Sequence, residues 1–317
     1  MRVLFICSGN SSTGIGNVVS NQARSLEKAG LEIEFFPLTG KGWISYYRNI
    51  FRLIRYLKQN KYDLFHAHYA LSGIVAAVSL WYLRMNPGKL LIVSLMGSDV
   101  FKSRLLRVAE RFFYRTLWAR VITKSSSMKE LLSFPEAFII PNGVDMDRYR
   151  PAERDDCRGI LGINTGSRLI IFMADPAREE KNFLLAERAV KLISMSDIEM
   201  QVVNNVENES IPLYLNAADV LLSTSKWEGS ANVIKEAMAC NIPIVSTDTG
   251  DAGELFAGAE GCYLCSFDPE DVSQKIMMAI NFKDRTNGRE ILLEKGLDAE
   301  SVAARIINEY NRILDRE

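Results

Sequence analysis

The chain has 317 residues, 48% of them hydrophobic and 24% charged, which suits two ordinary domains with a core each and excludes a disordered or fibrous chain. Its net charge of -1 conceals a division: residues 1–150 hold 21 lysines and arginines against 10 aspartates and glutamates, and the remainder holds 17 against 29. Five irregularly spaced cysteines argue against a disulfide scaffold and for free thiols in a reducing, cytoplasmic compartment, and no secretory signal is evident, because the apolar run Val3 to Cys7 is too short for one.

Short β-branched runs alternate with helical patterns along the chain, which predicts βα units and parallel sheets, an α/β fold. The first-half strands are Val3–Cys7, Glu32–Phe36, Asp63–Ala67, Leu90–Leu95, Arg120–Thr123 and Ala137–Ile140. Helical spacing fills the gaps near Gly16–Ala29, Ile44–Gln59, Ser72–Arg84, Ser103–Trp118 and Ser126–Leu132. The longest apolar stretch, Ile74 to Leu83, is too short for a bilayer and reads as a buried helix. A turn-rich segment from Pro141 to Ala152 places the linker between domains at residues 1–148 and 149–300. The second-half strands are Arg168–Ala174, Glu199–Val203, Asp219–Ser223, Ile242–Ser246 and Gly261–Leu264, with a last helix at about Ser301 to Leu314.

The basic residues cluster. From Lys41 to Lys61 there are six, with no acid, interleaved with Trp43, Tyr46, Tyr47, Phe51 and Tyr56; from Lys102 to Lys129 there are eight against Glu110 alone, among Phe112, Phe113, Tyr114 and Trp118. Solvated helix faces whose aromatics are core account for this pattern, as does peripheral attachment to an anionic membrane surface. Nucleic acid is disfavoured, since no recognition motif accompanies the charge.

Taken in chain order, four constellations can carry chemistry. Gly14-Ile15-Gly16-Asn17 lies between the first strand and first helix, where glycine allows either a tight turn or close backbone approach to a ligand, and it lacks the dinucleotide fingerprint. The only histidines, His66 and His68, share one face of the third strand with no third metal ligand near them in sequence, so no metal is expected; one solvent-side histidine at the strand end is the ordinary expectation. Arg178 and Lys181 follow the first strand of the second half, with Asn182 as an N-cap candidate, and would stabilise charge developing on a leaving diphosphate; an exposed charged loop is the plainer reading. Finally, Glu228-Gly229-Ser230-Ala231-Asn232-Val233-Ile234-Lys235-Glu236 runs from a strand into a helix with Ser230 as a plausible N-cap. The helix start is a ready phosphate site flanked by two carboxylates, although on spacing alone a capped surface helix is the plainer reading.

The string from Tyr214 to Asp219, the Glu-x7-Glu pair Glu228 and Glu236, the strand Ile242–Thr247 and the loop Thr249-Gly250-Asp251 together resemble the donor signature of retaining family-4 glycosyltransferases. The linker Pro141-Asn142-Gly143-Val144-Asp145 is similar to that family's. The resemblance implies a GT-B architecture, two Rossmann-like domains facing across a cleft, with the last helix (301–317) packing back on the first. It implies transfer of a sugar from a UDP- or GDP-linked donor to a glycan or lipid-linked acceptor hydroxyl, with retention, no cofactor and no divalent metal. It gives Glu228, Arg178 and Lys181 catalytic roles, and donor-binding roles to Glu236, Gly229, Ser230, Asn232, Val233, Gly14 and Gly16. Asp99 and His68 are its acceptor-side candidates. The chain departs from the pattern at Met96, where many relatives have histidine, and at Ala231, where they have proline. Those departures keep a non-catalytic partner subunit of a glycan-assembly complex in view, beside a sugar-nucleotide epimerase of the same architecture.

Overall fold

The apolar runs form two parallel sheets in the computed structural model, which describes residues 1–11, 14–40, 42–97, 100, 104–282 and 284–315, with the backbone alone for 104–106. Contacts divide the chain into Met1–Gly143 with Ala299–Glu317, and Val144–Asp298. The division falls at Gly143, ahead of the boundary read at residue 148, because the Val144 N–H donates to the Leu297 carbonyl at 2.9 Å and Val144, Met146 and Tyr149 lie in the second unit's core.

The first unit runs β1 (Arg2–Ser8), α1 (Asn17–Lys28), β2 (Glu32–Leu38), α2 (Trp43–Leu57), β3 (Leu64–His68), α3 (Ala70–Tyr82), α4 (Pro87–Leu90), β4 (Leu91–Ser94), α5 (Arg104–Thr116), β5 (Arg120–Thr123), α6 (Ser126–Leu132) and β6 (Phe138–Ile139). Its six strands lie in the order β2-β1-β3-β4-β5-β6, so the chain reverses its direction of winding between β1 and β3. Residues Val3 to Cys7 are fully buried, as expected of a parallel strand covered on both faces. In α1, Val19, Ala23 and Leu26 recur at helical spacing and face the sheet. The apolar α3 is buried over most of its length. The last helix, numbered α14 below, joins α1 in covering one face through Val302, Ala303, Ile306, Tyr310 and Ile313.

The second unit runs α7 (Arg154–Leu161), β7 (Arg168–Phe172), α8 (Phe183–Lys191), β8 (Ile198–Val202), α9 (Ile211–Ala217), β9 (Val220–Ser223), α10 (Asn232–Ala239), β10 (Ile244–Thr247), α11 (Ala252–Phe256), β11 (Cys262–Cys265), α12 (Pro269–Ile280) and α13 (Gly288–Glu294), before α14 (Ala299–Leu314). Its order β11-β10-β9-β7-β8 places the reversal between β7 and β9. In sheets of this kind ligands gather beyond the carboxyl ends of the strands that flank the reversal. Among the described residues no helix is long and apolar enough to cross a membrane.

Candidate active site

At the reversal of the second sheet, the loops leaving β7 and β9 are fastened together. The Thr224 hydroxyl donates to the Lys181 and Asn182 carbonyls, each at 3.1 Å; the Lys226 N–H donates to the Glu180 carbonyl at 2.8 Å; Lys226 Nζ lies 2.9 Å from Glu179 Oε1. This zipper carries Lys181 to Glu228: Nζ donates to Oε1 at 2.5 Å, and the same oxygen accepts from Ser225 Oγ at 2.7 Å. Both side chains are largely shielded from water, so the pair is worth more than a surface ion pair. A small cavity beside them is lined by Lys181, Thr224, Ser225 and Val233, which brings the first turn of α10 to the same spot.

Arg178 stands apart from this group. Its guanidinium is half exposed and forms two hydrogen bonds with Glu180 Oε1, at 3.1 and 2.7 Å. Asn182 does precede α8, yet with φ 52 and no side-chain cap. Ser230 is not the N-cap of α10, a position held by Ala231. The reason is a competing bond, since the Ser230 hydroxyl donates to Asp251 Oδ2 at 2.6 Å.

Glu236 sits one turn inside α10, partly buried, and accepts a hydrogen bond from the Tyr149 hydroxyl. Burial raises its carboxyl above the ordinary carboxylate range, opposed by Tyr149 and by the nearby charge of Arg148. Arg148 is held over the Tyr149 ring, 5.3 Å from its centroid, and donates to the Asn208 carbonyl. Neither Arg148 nor Tyr149 was among the expected site residues. Their place just after the linker, 87 positions from Glu236 for Tyr149, offers no local pattern to find them by.

The first sheet's reversal presents a different surface. A cavity of about 460 Å³ lies beyond the ends of β1, β2 and β3, lined by Ser8, Asn10, Asn17, Tyr46, Asn49, Tyr69 and Ser72 among others, and among the described residues its lining holds no charged side chain. Gly16 borders it, and Gly14, at φ 83, closes a tight turn whose N–H and carbonyl both pair with Ser11. The turn reading of this glycine stretch is seen at Gly14, and Gly16 borders a cavity.

The expected solvent-side histidine is not found. His66 and His68 are both fully buried, because β3 is an interior strand and this face is covered by Phe5 and α14. His66 shares hydrogen bonds with the Tyr310 hydroxyl at 2.6 Å and Ser94 Oγ at 2.8 Å, while neither ring nitrogen of His68 has a partner. Burial, aided by Lys124, pushes His68 down to about 3. With no exposed surface, His68 has no route to an acceptor, and its neighbour Tyr69 reaches the cavity instead. Met96 is half-buried just past β4, and Asp99 lies outside the described residues.

The two aromatic–basic stretches also part company. On α2, Trp43, Ile44, Tyr47 and Phe51 are exposed together with Arg48, Arg52, Arg55 and Lys58. On and after α5, only Phe112 of the four aromatics is exposed, because Trp118 is buried and Phe113 and Tyr114 pack against the core.

Residues 168–281 match the family model "Glycosyl transferases group 1", and residues 33–148 match "Glycosyltransferase Family 4". A putative teichuronic acid biosynthesis glycosyltransferase, TuaC of Bacillus subtilis (strain 168), is 27% identical over 217 residues, which are 61% of this chain and 55% of that protein. The chain spans less than two thirds of the length of the first curated relatives that it matches. Among solved structures, sucrose-phosphate synthase from Thermosynechococcus elongatus superposes with a TM-score of 0.80 at 15% identity, over 100% of both chains. Anabaena HepE in complex with UDP-glucose gives 0.77 at 16%, over 98% of this chain and 100% of that one. These two likenesses establish the fold as GT-B.

Proposed function

We infer the activity of this chain from its family: it belongs to the group 1, family 4 glycosyltransferases. It moves a sugar from a nucleotide-diphosphate sugar to an acceptor hydroxyl, in the assembly of a cell-surface polysaccharide or glycolipid. The observation that carries this reading is the Lys181–Glu228 contact at the second sheet's reversal, with the start of α10 beside it. That is a cation, a carboxylate and a helix N-terminus at one spot, a set suited to a diphosphate whose charge grows as the sugar leaves. Lys181 and Arg178 supply the positive charge that a divalent ion would otherwise bring, Lys181 by exchanging Glu228 for phosphate and Arg178 by exchanging Glu180. Glu228, once released, accepts hydrogen bonds from the sugar hydroxyls. Glu236, steadied by Tyr149, accepts from the ribose. Gly229, Ser230, Asn232 and Val233 form the backbone that meets the diphosphate.

The acceptor hydroxyl attacks the anomeric carbon on the face from which the diphosphate departs, and its proton passes to the departing phosphate oxygen, so configuration is retained. A double displacement would need a carboxylate nucleophile about 5 Å from a second one, and trapping a glycosyl adduct on Glu228 would sink the same-face scheme. The cavity of the first unit, lined by hydroxyl and amide groups among the described residues, suits a polyhydroxyl acceptor, while Gly14 and Gly16 keep a donor-side role as backbone that lets the sugar approach closely. UDP is our first choice of nucleotide, because HepE, of the same fold, is described with UDP-glucose.

A membrane-borne acceptor is favoured by one further observation, the exposed face of α2. Trp43, at 86% exposure, leads a stripe of apolar and cationic side chains without an acid, the composition that seats a helix at an anionic lipid interface. The five unpaired cysteines accord with action on the cytoplasmic side.

A thermal-shift screen of nucleotides and nucleotide-sugars, run without divalent metal beside Glu236→Ala and Arg178→Ala, tests the donor reading. Stabilisation by one nucleotide family that both variants lose is the expected outcome. A wild-type protein indifferent to all of them would end the transferase reading. Conversion of donor without acceptor would favour an epimerase, and binding without turnover a partner subunit.

A further inference from the structure

Two buried charges and one partly buried hydroxyl join the loop after β9 to the loop after β10. Lys235, fully buried in α10, donates from Nζ to Ser230 Oγ at 2.7 Å, and that hydroxyl in turn donates to Asp251 Oδ2 at 2.6 Å. Lys235 Nζ and Asp251 Oδ2 are 3.9 Å apart, and Asp251 Oδ1 accepts the Ala231 N–H at 3.3 Å. Asp251 is 3% exposed. An ammonium this deep is tolerated only with a partner, so each charge requires the other. Gly250, one residue earlier, adopts φ +66 and lies so close to Glu228 that an added Cβ would come within 3.0 Å of the glutamate's Cβ. The loop after β10 therefore presses on Glu228 at one residue and is bonded to Ser230 and Ala231 at the next.

Residues 229–231 are glycine, serine and alanine, whose side chains offer little packing to hold a backbone in place. A segment of this kind would otherwise be ordered at the expense of ligand affinity. We propose that Lys235 and Asp251 are positioning residues of the donor site: their buried ion pair, bridged by the Ser230 hydroxyl, holds residues 228–233 in the conformation that receives the nucleotide diphosphate. The proposal rests on the donor-site reading given above. The Ser230 hydroxyl, committed as donor and as acceptor, acts on the loop and leaves ligand contact to the backbone.

The test uses the full chain, with UDP and GDP each titrated by calorimetry into wild type, Ser230→Ala, Lys235→Met, Lys235→Arg, Asp251→Asn and the double variant Lys235→Met/Asp251→Asn, and with each unliganded Tm measured in parallel. Ser230→Ala removes one oxygen and keeps both charges, so it reads the bridge even where loss of a charge prevents folding. It is expected to weaken the preferred nucleotide about tenfold, the equivalent of one good hydrogen bond. Lys235→Met should weaken it more, Lys235→Arg should regain part of the loss, and the double variant should lose less than the two single effects combined, as coupled groups do. Variants with lowered Tm and unchanged nucleotide affinity would overturn the positioning role and leave a merely structural ion pair. A wild type that binds neither nucleotide would overturn the donor site itself, and the proposal with it.

Discussion

The two sheets reverse their winding in the same way, yet what lies beyond their strand ends is opposite in character. Beyond β1 and β3 is an open cavity of about 460 Å³ with serine, asparagine and tyrosine in its wall and, among the described residues, no charged side chain. Beyond β7 and β9 the loops are zipped shut around Lys181 and Glu228, 2.5 Å apart. The topology decides where a ligand can approach, and the residues placed there decide which ligand. The chain-wide charge runs against the local chemistry: the cavity lined by hydroxyl and amide groups among the described residues belongs to the basic half of the sequence, and the site proposed for the diphosphate to the acidic half. Net charge thus describes what a surface attracts at a distance, and says little about a site where one lysine is held against one glutamate.

The largest effect that could break this contrast is at Lys181. Lys181→Met should lower kcat/KM for sugar transfer about a hundredfold, the usual loss when a preorganised group is removed from developing charge. Steady-state kinetics with saturating acceptor checks it, and a variant with near-normal turnover would mean that the second reversal is no anion site. Tyr46→Phe, which removes one hydroxyl from the first unit's cavity, should raise the acceptor KM by about 2- to 10-fold and leave donor affinity unchanged. A change in nucleotide binding instead would assign that cavity to the donor.

The smallest effect separates the units by sign. His68, at about 3 when folded and 6.5 ordinarily, makes the unfolded chain bind more protons between those values, so its contribution to stability is lost as pH falls from 6.5 toward 3. Glu236, raised above its ordinary 4.5, does the reverse: its contribution is present below 4.5 and is lost as pH rises through the folded value. Calorimetric Tm profiles should therefore flatten on the acid side in His68→Phe, and show less loss on rising above pH 4.5 in Glu236→Gln. The same slope change in both variants would refute the assignment.

Much of this was legible in the sequence. Every strand read from an apolar run is present within about two residues of its expected ends, because a parallel strand buried on both faces writes an uninterrupted apolar signal. Lys181 and Glu228 were legible as types of residue in strand-to-helix loops. Their contact was not, since it depends on loops 47 positions apart being fastened by Thr224 and Lys226. Ser230 was misread as a helix cap because local rules cannot see Asp251 arriving from the next loop. A solvent-side histidine was misread because the cover over this face is supplied by distant parts of the chain, Phe5 of β1 on both rings and Tyr310 of α14 on His66. Tyr149 on Glu236 was missed for the same reason: alternation tells which side chains point inward, and nothing of which partner they meet there.

That far end has a consequence for how the molecule is made. The second unit is one uninterrupted segment, and Val144 and Asp298 at its two ends are paired side by side. The first unit is not, for one face of its core, covered in part by α1, stays incomplete until α14 brings Tyr310 to His66. On a ribosome that releases the amino end first, residues 1–143 must wait with Phe5 and His66 only partly covered while the second unit is synthesised and closes on itself. The half that is translated first is thus completed last, and a chain cut short before Ala299 would lose the roof of its opening domain while its closing one stood whole.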